Sequence, residues 1–577
     1  MATQPGLLIP VELSATTAWT RLLGVSDNDI ATALTTGSDG AIYASVNTIS
    51  ASDPISALIN GSVVSAFITK YNADGTQVWT KQLGTTDNKV ATSLSTGSDG
   101  SIYISGSTID ILGLLTNSSV INAFVTKYNA DGTEIWTKQL ETTDNKIATA
   151  LSTGSDGSIY ISGNIASGSA IDILSGLINS SSSNTTIITD VFVTKYNADG
   201  SQVWTKLLET SDNDVARSIT TGSDGAIYVS GNTRGNLDGQ TNNGGDDAFI
   251  TKYNADGTKV WTKLLGTGVD DVARSLTIGS DGAIYVSGNT RGNLDGQTNN
   301  GGDDAFITKY NADGTKVWTK LLGTGGDDVA RSLTIGSDGA IYVSGNTRGN
   351  LDGQTNNGGD DAFITKYNAD GTKVWTKLLG TGVDDVARSL TIGSDGAIYV
   401  SGNTEGDLDG QTNNGGDDAF ITKLFTTLNN PPTDLSLDTT TIDEGQTTVG
   451  NLTTTDPDTG NTFTYSLVTG DGATDNSLFT ITNNQLKTNS VFDFETKNSY
   501  SVRLRTTDQD GLSFEKQLTI GVSNVNETPT DLTLSNSTVT ENQVIGTVVG
   551  NLSSTDPDTG NTFTYSLVTG DGATDNS

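Results

Sequence analysis

Between residues 18 and 425 the chain alternates short apolar runs with clusters of Gly, Asn and Asp. In one stretch, β-branched, aromatic and aliphatic residues fill 272–278, 283–287, 305–310 and 316–322. Ser280-Asp281-Gly282 and Ala312-Asp313-Gly314 separate two pairs of these runs and are hairpin signals. A helical period is absent, so each stretch predicts four short strands. The pattern then repeats. All 7 tryptophans, Trp19, Trp79, Trp136, Trp204, Trp261, Trp318 and Trp375, fall in one series. Tyr43, Tyr103, Tyr160, Tyr228, Tyr285, Tyr342 and Tyr399 mark a second series, and Phe67, Phe124, Phe192, Phe249, Phe306, Phe363 and Phe420 a third. Four strands in a unit of about 57 residues predict the blade of a β-propeller.

The Asn-Ala-Asp-Gly turn between the Phe and Trp strands is missing from the last unit, where Lys423 is followed by Leu424-Phe425. The chain opens with a Trp strand that has no preceding partner. The two deficits are complementary. The N-terminal strand, from Ala18, is therefore expected to pair with the strand around Phe420 and to close a ring of seven blades, which removes the open sheet edges.

Composition narrows the chemistry. The 577 residues contain 31 Lys and Arg against 67 Asp and Glu, a formal net charge of −36. Cys and His are absent, which excludes disulfides, zinc–thiolate sites, a Ser-His-Asp triad and His-ligated metals. The acidity argues against nucleic acid as a partner and fits hard cations, which take oxygen ligands. No apolar run is long enough for a transmembrane segment, and the start has neither the basic nor the apolar region of a signal peptide. If the protein is exported, the signal is expected in a missing C-terminal region.

Beyond a short linker a second pattern starts at Pro432 and restarts at Pro529. Residues 455–477 and 555–577 are identical, and the period of about 100 residues is that of a β-sandwich domain. The second copy stops mid-domain, so a longer parent protein is expected. The expected organisation is a tail (1–17), the propeller (18–426), a linker (427–431), a complete sandwich (432–528) and a truncated one (529–577).

The blade motifs GSDG(A/S)IY and (A/V)F(I/V)TK resemble the bacterial SBBP propeller repeats over 18–425. From Pro432 onward the chain resembles cadherin-like domains. The matching segments are Glu444, Asp456-Pro-Asp458-Thr-Gly460-Asn461, Asp493-Phe-Glu495, Asp508-Gln-Asp510-Gly511 and Asn524-Val-Asn526-Glu527-Thr-Pro529, with Asn524 and Glu527 departing from the usual linker. The resemblance implies Ca2+ as cofactor and a ligand set of Glu444, Asp456, Asp458, Asp493, Glu495, Asp508, Asp510, Asn526, Glu527, Asp556 and Asp558. Ligands from the end of one domain and the start of the next would meet at their junction. Asx turns and solvated loop charges are the alternative.

Two features of the ring are candidates for binding. One face is expected to gather Asp238, Asp246, Asp247, Asp270, Asp271 and their equivalents, for a cation or polyol, against turn capping as the plainer role. The first three units carry apolar loops there, including Leu114, Leu115 and Ile121, which predicts a contact patch or a cover over a neighbouring loop. Arg217, Arg274, Arg331 and Arg388 occur only in the acidic units, with Thr32, Thr92 and Thr149 at the same place earlier. The Trp and Tyr series are expected to be interblade core rather than a sugar-stacking ladder. Together these features predict a non-enzymatic, calcium-binding extracellular or cell-surface protein with an adhesion role and a protein or glycan partner. A propeller hydrolase or lyase acting on polysaccharide, or a multivalent propeller lectin, is the alternative.

Overall fold

The computed structural model describes residues 11–24, 28–49, 64–84, 88–109, 121–140, 144–167, 188–210, 212–457, 462–508 and 512–576. They form two compact units, Glu12–Thr427 and Leu428–Ser577. The described chain is all-β apart from one short 3-10 turn, Asn476–Leu478. No described helix is long and apolar enough to cross a membrane.

The first unit contains seven four-stranded antiparallel sheets among the described residues. Six of them are meanders of consecutive strands. A representative sheet runs Asp271–Ile278, Ile284–Thr290, Asp304–Tyr310 and Lys316–Leu322. The remaining sheet has Asp385–Ile392, Ile398–Thr404 and Asp418–Asn429, with Val11–Leu22 as its fourth strand. The Leu23 amide donates to the Ala419 carbonyl at 2.7 Å, which ties the start of the chain to a strand about 400 residues later. First strands pack on first strands around a closed cycle: Asn28–Thr36 touches both Asn88–Thr96 and Asp385–Ile392. This is a β-propeller built from a repeat.

Two strand ends differ from the sequence reading. The N-terminal strand begins at Val11, not Ala18, because Val11, Leu13 and Ala15 already alternate with polar residues. Its partner Asp418–Asn429 runs through part of the expected linker 427–431.

The core lies between sheets. One cluster joins Tyr228, Ile250 and Leu265 of one sheet to Leu276, Val286 and Phe306 of the next. Each blade tyrosine is buried and meets a tryptophan of its own sheet, as Tyr285 meets Trp318 at 6.2 Å. The closing sheet follows the same rule across its break, with Trp19 and Tyr399 6.1 Å apart. The indole N–H then reaches the next sheet: Trp19 donates to the Ala73 carbonyl at 3.3 Å, and Trp79 to that of Ala130 at 3.4 Å. The aromatic series therefore joins blades. Ile121 is fully buried, which removes it from the expected contact patch; Leu114 and Leu115 lie outside the described residues.

The second unit holds a sandwich of two four-stranded sheets. One contains Asp434–Leu437, Thr448–Thr455, Gln485–Thr488 and Phe479–Thr482; the other contains Thr441–Asp443, Ser513–Ser523, Ser499–Asp508 and Phe463–Leu467. Leu435, Leu452 and Leu486 pack against Val502, Leu504 and Ile520 between them. Among the described residues the second copy forms one strand pair, Asp531–Leu534 with Leu552–Thr555. Its Leu532 is 59% exposed where the equivalent Leu435 is 0% exposed, since the strands that cover Leu435 have no counterpart in this sequence.

Candidate metal centre

The sandwich site begins with strand pairing. Thr441–Asp443 runs parallel to Gly521–Ser523, and the Glu444 amide continues the ladder to the Ser523 carbonyl at 3.1 Å. This places Glu444 at the end of the sandwich with its side chain mostly buried. Its Oε2 accepts from the Phe494 amide at 2.9 Å and its Oε1 from the Val525 amide at 2.6 Å. One carboxylate thus pins both the 493–495 turn and the segment leaving the domain. Within that turn Asp493 accepts from the Thr496 amide and hydroxyl at 3.1 and 2.9 Å, an Asx arrangement. As a result, carboxylate oxygens of Glu444, Asp493 and Glu495 all lie within 4.8 Å of one another.

The start of the second copy joins them. Asp558 Oδ2 accepts from the Glu527 amide at 2.7 Å, and Asp556 Oδ1 accepts from the Asp558 amide and from Asn561 Nδ2, both at 3.0 Å. Glu495 accepts from Asn524 Nδ2 at 2.7 Å. Burial, together with the charges of Glu444, Glu495, Asp558 and Asp493, pushes the Glu527 carboxyl above its usual range. Three buried oxygens, Glu527 Oε2, Asp556 Oδ2 and Asp558 Oδ1, have no hydrogen-bond partner. None of the ion pairs formed by described residues involves this cluster. Converging carboxylates with buried, unpartnered oxygens and no Lys or Arg fit the needs of a hard cation, which takes six to eight oxygens at about 2.3–2.6 Å.

Other predicted ligands lie elsewhere. Asp508 ends Ser499–Asp508 at the opposite end of that strand from the Glu444 side, and its Oδ1 accepts from the Leu512 amide at 2.9 Å. Asp456 follows Thr448–Thr455 near the same end, where Thr454 and Thr506 share a hydroxyl hydrogen bond at 2.7 Å. Strand length alone keeps these two from the Glu444 cluster. Asp458 and Asp510 lie outside the described residues. Asn526 is exposed, and its side-chain amide donates to the Glu527 carbonyl at 3.1 Å.

In the ring, Asp246, Asp247, Asp270 and Asp271 come together where two sheets join. Asp270 Oδ1 accepts from the Asp246 amide at 3.1 Å, and the Asp271 amide donates to the Asp246 carbonyl at 2.5 Å. Asp247 Oδ2 caps the Asn243 amide at 2.9 Å, and Asp271 Oδ2 caps that of Thr267 at 2.5 Å. Both side chains are fully buried, and the Oδ1 of each has no partner. Burial, helped by the charges of Asp271 and Asp246, pushes the Asp247 carboxyl up to about 6. Asp238 does not join this group. It adopts a left-handed backbone (φ 51°) and turns its carboxylate to Lys259 and Thr262 on the outermost strand. The expected single acidic group is thus divided: Asp246, Asp247, Asp270 and Asp271 meet at the junction of two sheets, and Asp238 lies apart against the outermost strand.

The four arginines were legible in the sequence only as a difference between units. Each is the extra residue of a β-bulge on an innermost strand, as Arg274 is between Ala273 and Ser275. The readable signal is a lone cation between core positions in an Ala-Arg-Ser strand.

No protein-family model matches the sequence. The chain is similar to the regulatory protein FlaEY of Caulobacter vibrioides, 29% identical over 241 residues that cover 36% of this chain and 25% of that protein. It is also similar to an uncharacterised WD repeat-containing protein of Acanthamoeba polyphaga mimivirus, 22% identical over 370 residues, covering 50% of this chain and 27% of that protein. The chain therefore spans about a quarter of the length of these curated relatives. Among solved structures it is similar to a protein of unknown function from Dyadobacter fermentans, with 12% identity, a TM-score of 0.40, and coverage of 72% of this chain and 99% of that one. The polysaccharide lyase Uly1 gives the same identity and TM-score, with coverage of 74% and 94%.

Proposed function

We propose that this chain is a non-enzymatic, calcium-binding protein of the cell surface or extracellular space, with a role in adhesion. In this reading Glu12–Thr427 is a seven-bladed propeller of the SBBP kind that serves as a binding platform. Leu428–Ser577 is a cadherin-like segment stiffened by calcium where one sandwich copy passes to the next. Its partner is a protein or glycan at a surface. The WD-repeat relative agrees with the coarser part of this reading, a repeat propeller.

One observation carries the calcium: carboxylate oxygens of Glu444, Asp493 and Glu495 lie within 4.8 Å of one another without an ion pair, Glu527 lies within reach of their charges and that of Asp558, and buried oxygens on Glu527, Asp556 and Asp558 are unpartnered. An uncompensated group of this kind is costly, because buried charges need pairing or a metal. Bound Ca2+ would supply the positive charge; the chain's own contribution is to preset the ligands. Glu444 does so by holding the 493–495 turn and the Val525 segment together.

Thermal melting of the full chain in calcium and in chelator tests the reading. A ligand that binds only the native state stabilises it by about 2.7 kcal/mol at a hundredfold excess over Kd. Calcium is expected to raise the melting temperature of the sandwich unit, and Glu444→Gln or Asp558→Asn to abolish most of that rise. Identical melts with and without calcium would remove calcium from the proposal.

A further inference from the structure

The axis of the ring carries an arrangement that the calcium reading does not use. In every sheet one residue of the first strand is left out of register by a β-bulge, which re-aims its side chain. In the first three sheets that residue is Thr32, Thr92 or Thr149. In the other four it is Arg217, Arg274, Arg331 or Arg388. These are the strands that line the inside of the ring. The four guanidinium groups sense one another even across non-adjacent sheets. Burial and the charges of Arg217, Arg331 and Arg388 hold Arg274 well below its usual pKa against the opposing charge of Asp303; burial, Arg388 and Arg217 push Arg331 down to about 9 against that of Asp360. Side chains on sheets two apart can interact this way only by pointing toward the axis. One arc of the ring is therefore lined with arginine and the other with threonine.

Each arginine is also pre-aimed. Its Nε donates to a buried asparagine on the adjacent strand: Arg217 to Asn232 at 2.9 Å, Arg274 to Asn289 at 2.6 Å, Arg331 to Asn346 at 2.7 Å and Arg388 to Asn403 at 2.6 Å. The asparagine amide in turn donates to a carboxylate, as Asn289 does to Asp303 at 2.9 Å and Asn346 to Asp360 at 3.0 Å. Of the threonine sheets, the second has Ser107 at this position, and the other two keep an asparagine that bonds the next sheet instead, as Asn164 accepts from the Ala216 amide at 2.8 Å. Asn47 exchanges two hydrogen bonds with the backbone of Ala91 in the next sheet, both at 2.9 Å. Where arginine is present, the asparagine is drawn away to orient it. No salt bridge engages these four arginines, and their terminal amino groups have no hydrogen-bond partner among the described residues. Each guanidinium has five N–H donors in a fixed fork and uses one.

From this geometry we infer that the arginine arc is a binding site for a multiply charged oxyanion, a phosphate or sulfate group, on the axis of the ring. Such an anion accepts bidentate hydrogen bonds from several forks at once and cancels the repulsion between them. The overall charge of −36 does not exclude it. At physiological salt the Debye length is about 8 Å, so distant surface carboxylates are screened while contacts at the axis are not.

The test uses the full chain in metal-free buffer, with ionic strength held constant by chloride. Inorganic phosphate, sulfate and pyrophosphate are titrated by calorimetry and by melting. Multiply charged oxyanions are expected to bind and raise the melting temperature where chloride does not. Arg274→Gln and Arg331→Gln are each expected to weaken binding about tenfold, the loss of one charge-assisted hydrogen bond. Lys259→Gln, which removes a cation paired with Asp238 on the outermost strand, serves as the control and is expected to leave anion binding unchanged. Phenyl phosphate distinguishes the source: binding equal to phosphate marks a site that accepts esters, and a large loss marks one for the free ion. Anion responses no stronger than that to chloride, or unchanged in Arg274→Gln and Arg331→Gln, overturn the inference.

Discussion

At the scale of single residues, the repeated aspartates behave differently from surface charge. The Asp-Gly-Asn context reads as turn capping, and one oxygen of Asp247 and of Asp271 does cap a backbone amide. The other oxygen is buried without a partner, which no local pattern reveals. It depends on packing: a Cβ on Gly266 would sit 2.2 Å from Asp247 Oδ1. A pH dependence follows. Asp247 and Asp304 have folded pKa values of about 6 against an ordinary 3.8. Between these values the native state holds more protons than the unfolded one, so stability falls as pH rises through this window and levels off above it. The ring is expected to melt higher at pH 5 than at pH 7.5, and Asp247→Asn with Asp304→Asn to flatten that difference. Melting curves across pH 4.5–8 check it.

At the scale of strands, the number and order of elements were plain from the repeat, and their ends less so. The apolar pattern of the second strand of the representative sheet stops at Ser287, while the strand continues to Thr290. Gly288-Asn289 looks like a breaker. Here glycine is required by proximity instead, since a Cβ would lie 1.8 Å from the Val272 carbonyl oxygen and 3.0 Å from the Phe306 ring. Gly288→Ala is therefore expected to destabilise the ring by about 3 kcal/mol or more, the range of overpacked cores and displaced strands. Chemical denaturation of the full chain measures it. The bulges beneath these glycines were not legible, because a bulge changes register without changing composition. Closure by the N-terminal strand was legible from a count of turns. Removing residues 1–25 deletes Trp19 and the Leu23 bond to Ala419, and exposes the edge of Asp418–Asn429. Melting of this variant, followed by circular dichroism, is expected to fall well below that of the full chain.

At the scale of the molecule, charge is sorted by place. The excess carboxylates divide among capped loops, buried pairs and the end of the sandwich, while four arginines gather inside the ring. The carboxylate cluster could be anticipated because its residues follow an ordered series of motifs. The arginine arc could not, since it exists only once separate repeats close around one axis. Closure also sets a timetable. The strand Val11–Leu22 leaves the ribosome about 400 residues ahead of its partner Asp418–Asn429. At about 5–20 residues per second, the first strand waits some tens of seconds for its sheet. Meanwhile six near-repetitive sheets can form in order, each with an outer strand resembling the waiting one. The protein must therefore keep its first strand from joining a neighbouring chain's last sheet, an exchange that would link copies into dimers or longer assemblies at high concentration.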